Sequence, residues 1–213
     1  DNPDTYIGSV ENVDTTSYIF DESNNNFVNK TIHYIPGLYK LFDEAIVNCR
    51  DHSVRIRQAM NDCKPNTLPM SYIHVEIDKD TGVISMTNDG NGIDVAKHPT
   101  YDIWIPEMIF GHLRTGTNYD KSEKKIVGGK NGFGSKLIFI WSTFGSIETV
   151  DHQRKLKYTQ SFKNNLDIIE SPVIKKHHGK PYTKISFRPD YLRLQKNGLT
   201  DDEIALFKKR VYD

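Results

Sequence analysis

A glycine-rich run that leads directly into an apolar segment constrains this chain more than any other feature. Four glycines fall within residues 128–134, and residues 137–140 are all apolar. Such a loop exposes backbone N–H groups at the start of a helix, where partial positive charge favours phosphate. A flexible linker would have no reason to end in a buried helix. We therefore predict a phosphate-binding loop followed by a helix over residues 135–144.

The same run differs from the two best-known phosphate motifs. Ser135 follows Gly134, where a P-loop would have lysine, and the glycine spacing of a dinucleotide-binding fingerprint does not occur here. The loop therefore indicates a different class of nucleotide site.

The helix predicted over residues 37–58 carries a polar stripe beside its apolar face. Glu44, Asn48, Asp51 and Arg55 fall within about 60° of one another on a helical projection. A carboxylate one turn before an amide suits proton transfer from water and ligation of Mg²⁺ by the amide oxygen. A solvated helix face with i,i+4 pairs explains the same pattern, and the residues alone leave both interpretations open.

The sequence Asn-Asp-Gly-Asn-Gly at residues 88–92 follows a predicted strand over residues 83–86. Its two glycines allow a tight turn in which the backbone approaches a ligand closely, and the side chain of Asn88 can hydrogen-bond a base edge. An ordinary β-turn is the alternative, because Asn, Asp and Gly are turn residues in any context.

The remaining pattern predicts an α+β fold, with helices layered on a mixed sheet. Residues 1–10 are predicted as a turn and a strand, and residues 11–36 as a polar loop. A short helix is predicted from Pro106 to Leu113, before a long functional loop over residues 114–134. Thr200 and Glu203 form a capping-box pattern that opens a final helix ending at Tyr212. Further strands are predicted at residues 73–77, 146–150, 155–162 and 182–188.

Composition excludes some functions. Lys plus Arg and Asp plus Glu are both 28, so the net charge is zero and a broad nucleic-acid-binding face is not expected. Basic patches at residues 154–157 and 175–180 leave a DNA-binding module as a rival, although both are predicted to be solvated loops. No apolar run approaches the roughly 20 residues of a membrane helix. Cys49 and Cys63 lack metal-ligand spacing and are predicted to be free thiols.

Taken in chain order, the helix stripe, the glycine turn and the glycine-rich loop resemble the three sequence boxes of the GHKL ATPase superfamily. Several segments are similar, more narrowly, to the N-terminal ATPase domain of eukaryotic-type type II DNA topoisomerases. These segments are residues 4–9, 36–48, 109–111, 117–120, 123–125, 182–187 and 210–213. The resemblance implies the GHKL, or Bergerat, ATP-binding fold, with helices on one face of a mixed, mostly antiparallel sheet.

The resemblance also implies a role for each site residue. Glu44 would be the general base that activates water, Asn48 the Mg²⁺ ligand, and Asn88, supported by Thr183, the contact to the adenine amine. Further contacts to ATP would come from the stripe, from apolar walls of the base pocket, and from residues that touch the ribose and wrap the phosphates. These are Asp51, Arg55, Ile93, Ile109, Phe110, Thr117, Asn118, Gly129, Lys130, Asn131, Gly132, Phe133, Gly134 and Lys136.

Two positions depart from the pattern of the cellular family members. Gly116 stands where they have serine, and His52 stands where they usually have asparagine. His52 either touches phosphate or faces solvent, and we expect it to face solvent. Both departures would suit a divergent member or one from a viral lineage.

The resemblance implies an ATP-hydrolysing domain whose ATP binding closes a gate in a homodimer, driving one DNA duplex through a break in another. The alternative is a nucleotide-binding scaffold or a chaperone-like ATPase without a role in DNA topology. We expect residues 1–213 to form one domain, with the family's N-terminal strap and transducer subdomain lying outside it, because the chain begins at Asp1 and stops at Asp213. Such a fragment is expected to be monomeric and to bind nucleotide with weak or no turnover. The full-length protein would be intracellular, in the nucleus of a eukaryote or in the host cell or virion of a virus.

Overall fold

The computed structural model describes residues 4–21, 23–112 and 134–213. Five helices and nine strands alternate in blocks through these residues. The helices are α1 (Asp4–Ile7), α2 (Pro36–Asn61), α3 (Ile105–Gly111), α4 (Gly134–Ile140) and α5 (Asp201–Tyr212). The strands are β1 (Val13–Asp21), β2 (Asn26–Tyr34), β3 (Ile73–Asp78), β4 (Val83–Asn88), β5 (Ser142–Asp151), β6 (Leu156–Lys163), β7 (Ile168–Ile169), β8 (Val173–Lys176) and β9 (Thr183–Pro189).

Seven strands form one sheet in the order β3-β4-β9-β5-β6-β7, with β8 also pairing with β6. Every pair in this sheet is antiparallel among the described residues. The α+β class is therefore confirmed, although the sheet is antiparallel throughout the described residues rather than mixed. In such a sheet alternate residues face the core, and Ile84, Ile147 and Phe187 do so on three neighbouring strands.

Helix α2 packs its apolar stripe on this sheet as its sequence predicts. Leu38, Phe42, Ala45, Ile46 and Cys49 are all buried. Pro36 opens the helix at a position where the missing N–H costs nothing. The helix extends three residues beyond the predicted end.

The N-terminal prediction is wrong in two places. Residues 4–7 form a helical turn instead of a strand, and the predicted loop contains the antiparallel hairpin β1–β2. The hairpin was not predicted because apolar and polar residues do not alternate regularly along its strands, and of its residues only Ile19 and Ile32 are buried, against Leu206 of α5. Without alternation of apolar and polar residues, a strand gives little sequence signal.

The capping box at the start of α5 is confirmed. The Thr200 hydroxyl accepts from the Glu203 N–H, and the Glu203 carboxylate accepts from the Thr200 N–H. The ring of Phe207 then stacks on Phe42 of α2, with centroids 4.3 Å apart. Local capping and one long-range aromatic contact thus fix α5 against α2.

Helix α4 is shorter than predicted. It ends at Ile140, because the chain enters β5 at Ser142 instead of continuing to Phe144. The buried Trp141 lies at this junction, and the Arg193 guanidinium is 3.7 Å from the centroid of its ring. The chain's other tryptophan, Trp104, is the N-cap residue of α3. The two tryptophans therefore mark the end of α4 and the beginning of α3.

The two basic patches meet at the edge of the sheet. They were predicted as loops, but Lys157 lies in β6 and pairs opposite Lys175 in β8. Strand β6 matches the strand predicted over residues 155–162, whereas the short edge strand β8 was missed, because lysine is depleted in strands and gives little strand signal.

Two further predictions concern the cysteines and membranes. Cys49 and Cys63 are both free, the first buried and the second exposed. Within the described part of the chain, no helix has the length and apolar character needed to cross a membrane.

Candidate functional site

A cavity of about 290 Å³ opens between α2, α3 and the strands β4 and β9. This is close to the lower limit of about 300 Å³ for sites that enclose drug-sized ligands. Its wall is formed by residues of α2, α3, β4 and β9, by the segment that follows β4, and by one residue in the first turn of α4. The lining residues are Asn48, Cys49, His52, Arg55, Met86, Asn88, Gly92, Ile93, Asp94, Ile105, Ile109, Phe110, Ser135, Thr183 and Ile185.

Seven of the predicted site residues line this cavity together, although they come from distant parts of the sequence. They are Asn48, Arg55, Asn88, Ile93, Ile109, Phe110 and Thr183. Four others, Glu44, Asp51, Gly134 and Lys136, lie outside the wall that the described residues form. Thr117, Asn118, Gly129, Lys130, Asn131, Gly132 and Phe133, with the departure at Gly116, fall outside the described residues.

Sheet register brings the two predicted base contacts together. Asn88 at the end of β4 pairs opposite Thr183 at the start of β9. Asn88 is only 4% exposed, and its Nδ2 donates to the backbone oxygen of Asp89 at 3.0 Å. Because one amide hydrogen bond fixes this orientation, the Asn88 Oδ1 is the acceptor that the side chain can offer to a ligand.

The turn at residues 88–92 is tied to the protein on two sides. The Asp89 carboxylate accepts from the backbone N–H groups of Ser71 and Tyr72 at 2.7 and 3.0 Å. The Asn91 Oδ1 accepts from the Leu68 N–H at 2.7 Å. The turn therefore holds the preceding loop in place while it presents Asn88 to the cavity.

The glycines of this turn are required by close packing. Gly90 has φ +85°, and a Cβ at that position would lie 2.6 Å from the Ile56 Cδ1. A Cβ on Gly92 would lie 1.9 Å from the Val150 backbone oxygen and 3.0 Å from the Thr149 Oγ1. We predicted that the glycines let the backbone of this turn approach a ligand closely. At Gly92 the backbone instead approaches the backbone of strand β5.

The polar stripe of α2 has two kinds of residue: Glu44 and Asp51 lie near basic side chains, whereas Asn48 and Arg55 line the cavity. Glu44 forms the i,i+4 ion pair of the solvated-face interpretation, with 2.5 Å between the Lys40 Nζ and its Oε1. Its Oε2 also lies so close to Gly134 that a Cβ there would be 2.0 Å away. At the surface, the Asp51 Oδ1 lies 3.6 Å from the Arg50 Nη1. The carboxylate of Glu44 therefore bridges α2 and the first residue of α4.

Asn48 behaves differently from its neighbours on the stripe. Its Nδ2 is buried and has no hydrogen-bond partner among the described residues. A buried amide without a partner costs about 1–3 kcal/mol, so native proteins rarely retain one without a purpose. The side chain lines the cavity, where a ligand can supply the missing interaction.

His52 does not face solvent as expected. It lines the cavity, and its Nε2 donates to the Asn91 backbone oxygen at 2.7 Å. Burial lowers the pKa of the His52 imidazole, the hydrogen bond to Asn91 acts in the opposite direction, and the nearby Arg55 cation lowers the pKa further. The neutral imidazole therefore joins α2 to the turn.

Covalent catalysis by the cavity's cysteine is not supported. Burial raises the pKa of the Cys49 thiol to about 12, so the reactive thiolate is scarce at neutral pH. The thiol behaves as a small apolar group against the core.

Several residues that line the cavity were not predicted from the sequence. For some of them, strand or helix periodicity could have indicated their position. Met86 precedes Asn88 by two positions and Ile185 follows Thr183 by two, so the period of a strand places them on the same face. His52 follows Asn48 by four positions on the helix and shares its face for the same reason. Ser135 and Ile105 gave no such signal, because their places depend on how α4 and α3 dock.

Comparison with known proteins supports an ATPase fold. The sequence matches the family described as histidine kinase-, DNA gyrase B-, and HSP90-like ATPase over residues 34–190. A DNA topoisomerase 2 of Acanthamoeba polyphaga mimivirus is 48% identical over 216 residues, covering 100% of this chain and 16% of the viral protein. This chain thus spans about one sixth of that relative.

Two solved structures agree with the sequence comparison. The ATPase region of Saccharomyces cerevisiae topoisomerase II superposes with a TM-score of 0.84 at 42% identity, covering 99% of this chain and 53% of that one. The 43K ATPase domain of Thermus thermophilus gyrase B has a TM-score of 0.56 at 19% identity, over 79% of this chain and 38% of that one, and shares the fold alone. The GHKL fold predicted from the motifs is confirmed.

Proposed function

We propose that ATP occupies the cavity between α2 and β9, from the premise that this chain belongs to the histidine kinase-, DNA gyrase B- and HSP90-like ATPase family. The chain is also homologous to the ATPase region of topoisomerase II. The observation that carries this proposal is the pairing of Asn88 with Thr183 at the buried end of the cavity. An amide oxygen and a hydroxyl, surrounded by Met86, Ile93 and Ile185, suit the amino edge of adenine between apolar walls.

The triphosphate would extend from this end along α2. Arg55 lines the cavity and offers a cation with several fixed donors for phosphate oxygens. The predicted roles of residues 129–134 and Lys136 in wrapping the phosphates remain part of this proposal. Lys136 itself lies buried in α4, directly after the cavity residue Ser135.

Mg²⁺ fits the residues at the helix end of the cavity. Asn48 lines the cavity and its amide oxygen is a hard ligand of the kind that Mg²⁺ prefers, while its buried Nδ2 has no hydrogen-bond partner among the described residues. Among the described residues, no group of three His, Cys, Asp or Glu side chains could hold a metal alone. Mg²⁺ commonly takes most of its ligands from phosphate and water, and when bound it would neutralise phosphate charge.

Glu44 would act as the general base of hydrolysis. One turn before Asn48, its carboxylate can take a proton from a water whose oxygen attacks the γ-phosphorus, while the bond from that phosphorus to the ADP oxygen breaks. Lys40 pairs with one carboxylate oxygen, and the second lies against Gly134. A carboxylate held between two helices is better oriented for this task than one that rotates freely in solvent.

The role of a whole protein is inferred from the relatives. They are named DNA topoisomerases, and this chain spans about one sixth of the viral one. We infer that ATP binding here would drive DNA strand passage by a homodimer inside the cell, in the nucleus where the source is a eukaryote. A nucleotide-binding scaffold is less well supported, because it has no need of a base at Glu44. A chaperone-like ATPase is less well supported, because the relatives that match nearly the whole chain are named DNA topoisomerases.

Calorimetric titration of a non-hydrolysable ATP analogue with Mg²⁺ tests the nucleotide site. We expect wild-type protein to bind and Asn88→Ala to bind at least about tenfold more weakly, since the buried acceptor is lost. Asn197→Ala, at an exposed position, serves as the matched control and should leave affinity unchanged. Equal binding by wild type and Asn88→Ala would contradict the assignment of the adenine end.

A further inference from the structure

Behind the adenine end of the cavity lies a threonine that the sequence pattern did not single out. Thr149 on β5 is completely buried and pairs opposite Thr183 on β9. Since Thr183 in turn pairs opposite Asn88 on β4, the three side chains form one row across three adjacent strands. Of these three side chains, Asn88 and Thr183 line the cavity and Thr149 does not, so Thr149 can act on a ligand through the lining residues that it contacts.

The Thr149 hydroxyl makes three contacts. The Ile93 N–H lies 2.9 Å from its Oγ1, the Tyr182 backbone oxygen lies at 3.1 Å, and the Thr183 Oγ1 lies at 2.9 Å. Ile93 belongs to the cavity wall, so this one hydroxyl joins the turn after β4 to the base-contacting strand.

Counting protons gives one assignment that satisfies all three contacts. A hydroxyl has one hydrogen to donate and two lone pairs that accept. The Ile93 N–H can only donate and the Tyr182 carbonyl can only accept. The Thr149 hydroxyl therefore accepts from Ile93 and donates its one hydrogen to the Tyr182 oxygen. The contact between the threonines is then satisfied only if Thr183 donates to Thr149. If Thr149 donated to Thr183 instead, two oxygen lone pairs would face each other at Tyr182.

We propose that Thr149 is a positioning residue that makes Thr183 a hydrogen-bond acceptor toward the cavity. With its hydrogen directed at Thr149, the Thr183 hydroxyl offers only lone pairs to a ligand N–H or to an ordered water. The neighbouring Asn88 is fixed in the same sense, because its Nδ2 donates to the Asp89 backbone oxygen and leaves Oδ1 as the acceptor. The buried end of the cavity therefore accepts at two adjacent positions.

This arrangement selects between purine bases, and here the inference rests on the proposed nucleotide site. A 6-amino purine has N–H donors to offer to two acceptors, whereas a 6-oxo purine places a carbonyl oxygen against them. Buried acceptors that face another acceptor lose their hydrogen bonds, which disfavours the oxo base strongly. Thr149 thus determines base selectivity without touching the base.

The test compares non-hydrolysable ATP and ITP analogues, with Mg²⁺, by calorimetry on four proteins. Thr149→Val keeps the shape but removes the hydroxyl, and Thr149→Ser keeps the hydroxyl. Thr159→Val makes the same change on β6, where the threonine hydroxyl donates to the Val173 backbone oxygen at 3.4 Å. We expect Thr149→Val to reduce the ratio of ATP to ITP affinity by about fivefold to tenfold, because the freed Thr183 hydroxyl can then donate to the oxo group. The ratios of Thr149→Ser and Thr159→Val should stay within about twofold of wild type.

The possible outcomes separate the two proposals. A Thr149→Val protein in which both affinities fall by the same factor would show a structural role only and overturn this inference. A folded wild type that binds neither analogue would overturn the proposed function, and this inference with it. Should Thr149→Val fail to fold, Thr149→Cys offers a weaker donor and acceptor in place of the hydroxyl, and a smaller fall of the ratio in the same direction is expected.

Discussion

The two ends of the cavity are built in opposite ways. At the strand end, Asn88, Thr183 and Thr149 have hydrogen-bond partners within the protein, and sheet register fixes their order. At the helix end, Asn48 leaves a buried amide nitrogen without a partner among the described residues, and Glu44 pairs with the partly exposed Lys40. In the folded protein the side chains at the end that we assign to the base already have their hydrogen-bond partners. At the end that we assign to phosphate and metal, the Asn48 amide nitrogen would gain a partner only from a ligand.

The largest expected effect is at the strand end. Gly92→Ala should lower the free energy of unfolding by about 3 kcal/mol, the upper part of the range for overpacking, because its Cβ would collide with the Val150 backbone oxygen. Denaturant unfolding measures this change. Gly198→Ala is the control, since a Cβ there meets nothing within 4 Å, and it should change stability by less than about 0.5 kcal/mol. Equal effects at the two glycines would mean that the strand end is not tightly built.

An intermediate effect, with the opposite sign for stability, is expected at the helix end. Asn48→Ala removes a buried polar group without a described partner for its Nδ2, so the free energy of unfolding should stay constant or rise by up to about 1 kcal/mol. Affinity for the ATP analogue should nevertheless fall about tenfold in Mg²⁺ and change little in EDTA. Asn88→Ala, which breaks a satisfied buried bond, should lower stability by about 1 kcal/mol. If both asparagines proved equally stabilising, the contrast between the ends would be lost.

The smallest expected effect is a pH dependence at His52, where the two ends meet. Burial lowers the pKa of this imidazole in the folded state, so the unfolded chain binds a proton more readily. Its contribution to stability is then complete above the unfolded pKa of about 6.5 and is lost as pH falls toward the folded value. Unfolding free energies measured from pH 7.5 down to 5 should therefore decline less steeply in His52→Gln than in wild type. A His52→Gln slope equal to that of wild type would contradict this contribution.

The sequence was most informative where local chemistry decides the structure. The apolar face of α2, the capping box of α5 and the turn around Gly90 depend on residues within a few positions of one another. These elements could be predicted because helix periodicity, side-chain caps and positive φ angles have direct sequence signatures.

The rest depended on contacts between distant residues. Nothing in the local sequence distinguishes Thr149 from other strand threonines. Its role depends on the register of β5 and β9, which places it beside Thr183, more than 30 residues away in the chain. The β1–β2 hairpin gave no alternation, because only Ile19 and Ile32 need burial and α5 covers them. Such pairings are set by tertiary packing, which propensity and periodicity do not encode.

The placement of the two tryptophans gives this chain a built-in optical probe. Trp104 caps α3, whose Ile105 and Ile109 line the cavity, so a ligand that shifts this helix changes the surroundings of that indole. Trp141 is 2% exposed beneath the Arg193 guanidinium, at the far end of α4 from the cavity residue Ser135. With Trp104→Phe and Trp141→Phe proteins, the emission of each indole can be followed alone, one as the reporter of occupancy and the other as the internal reference.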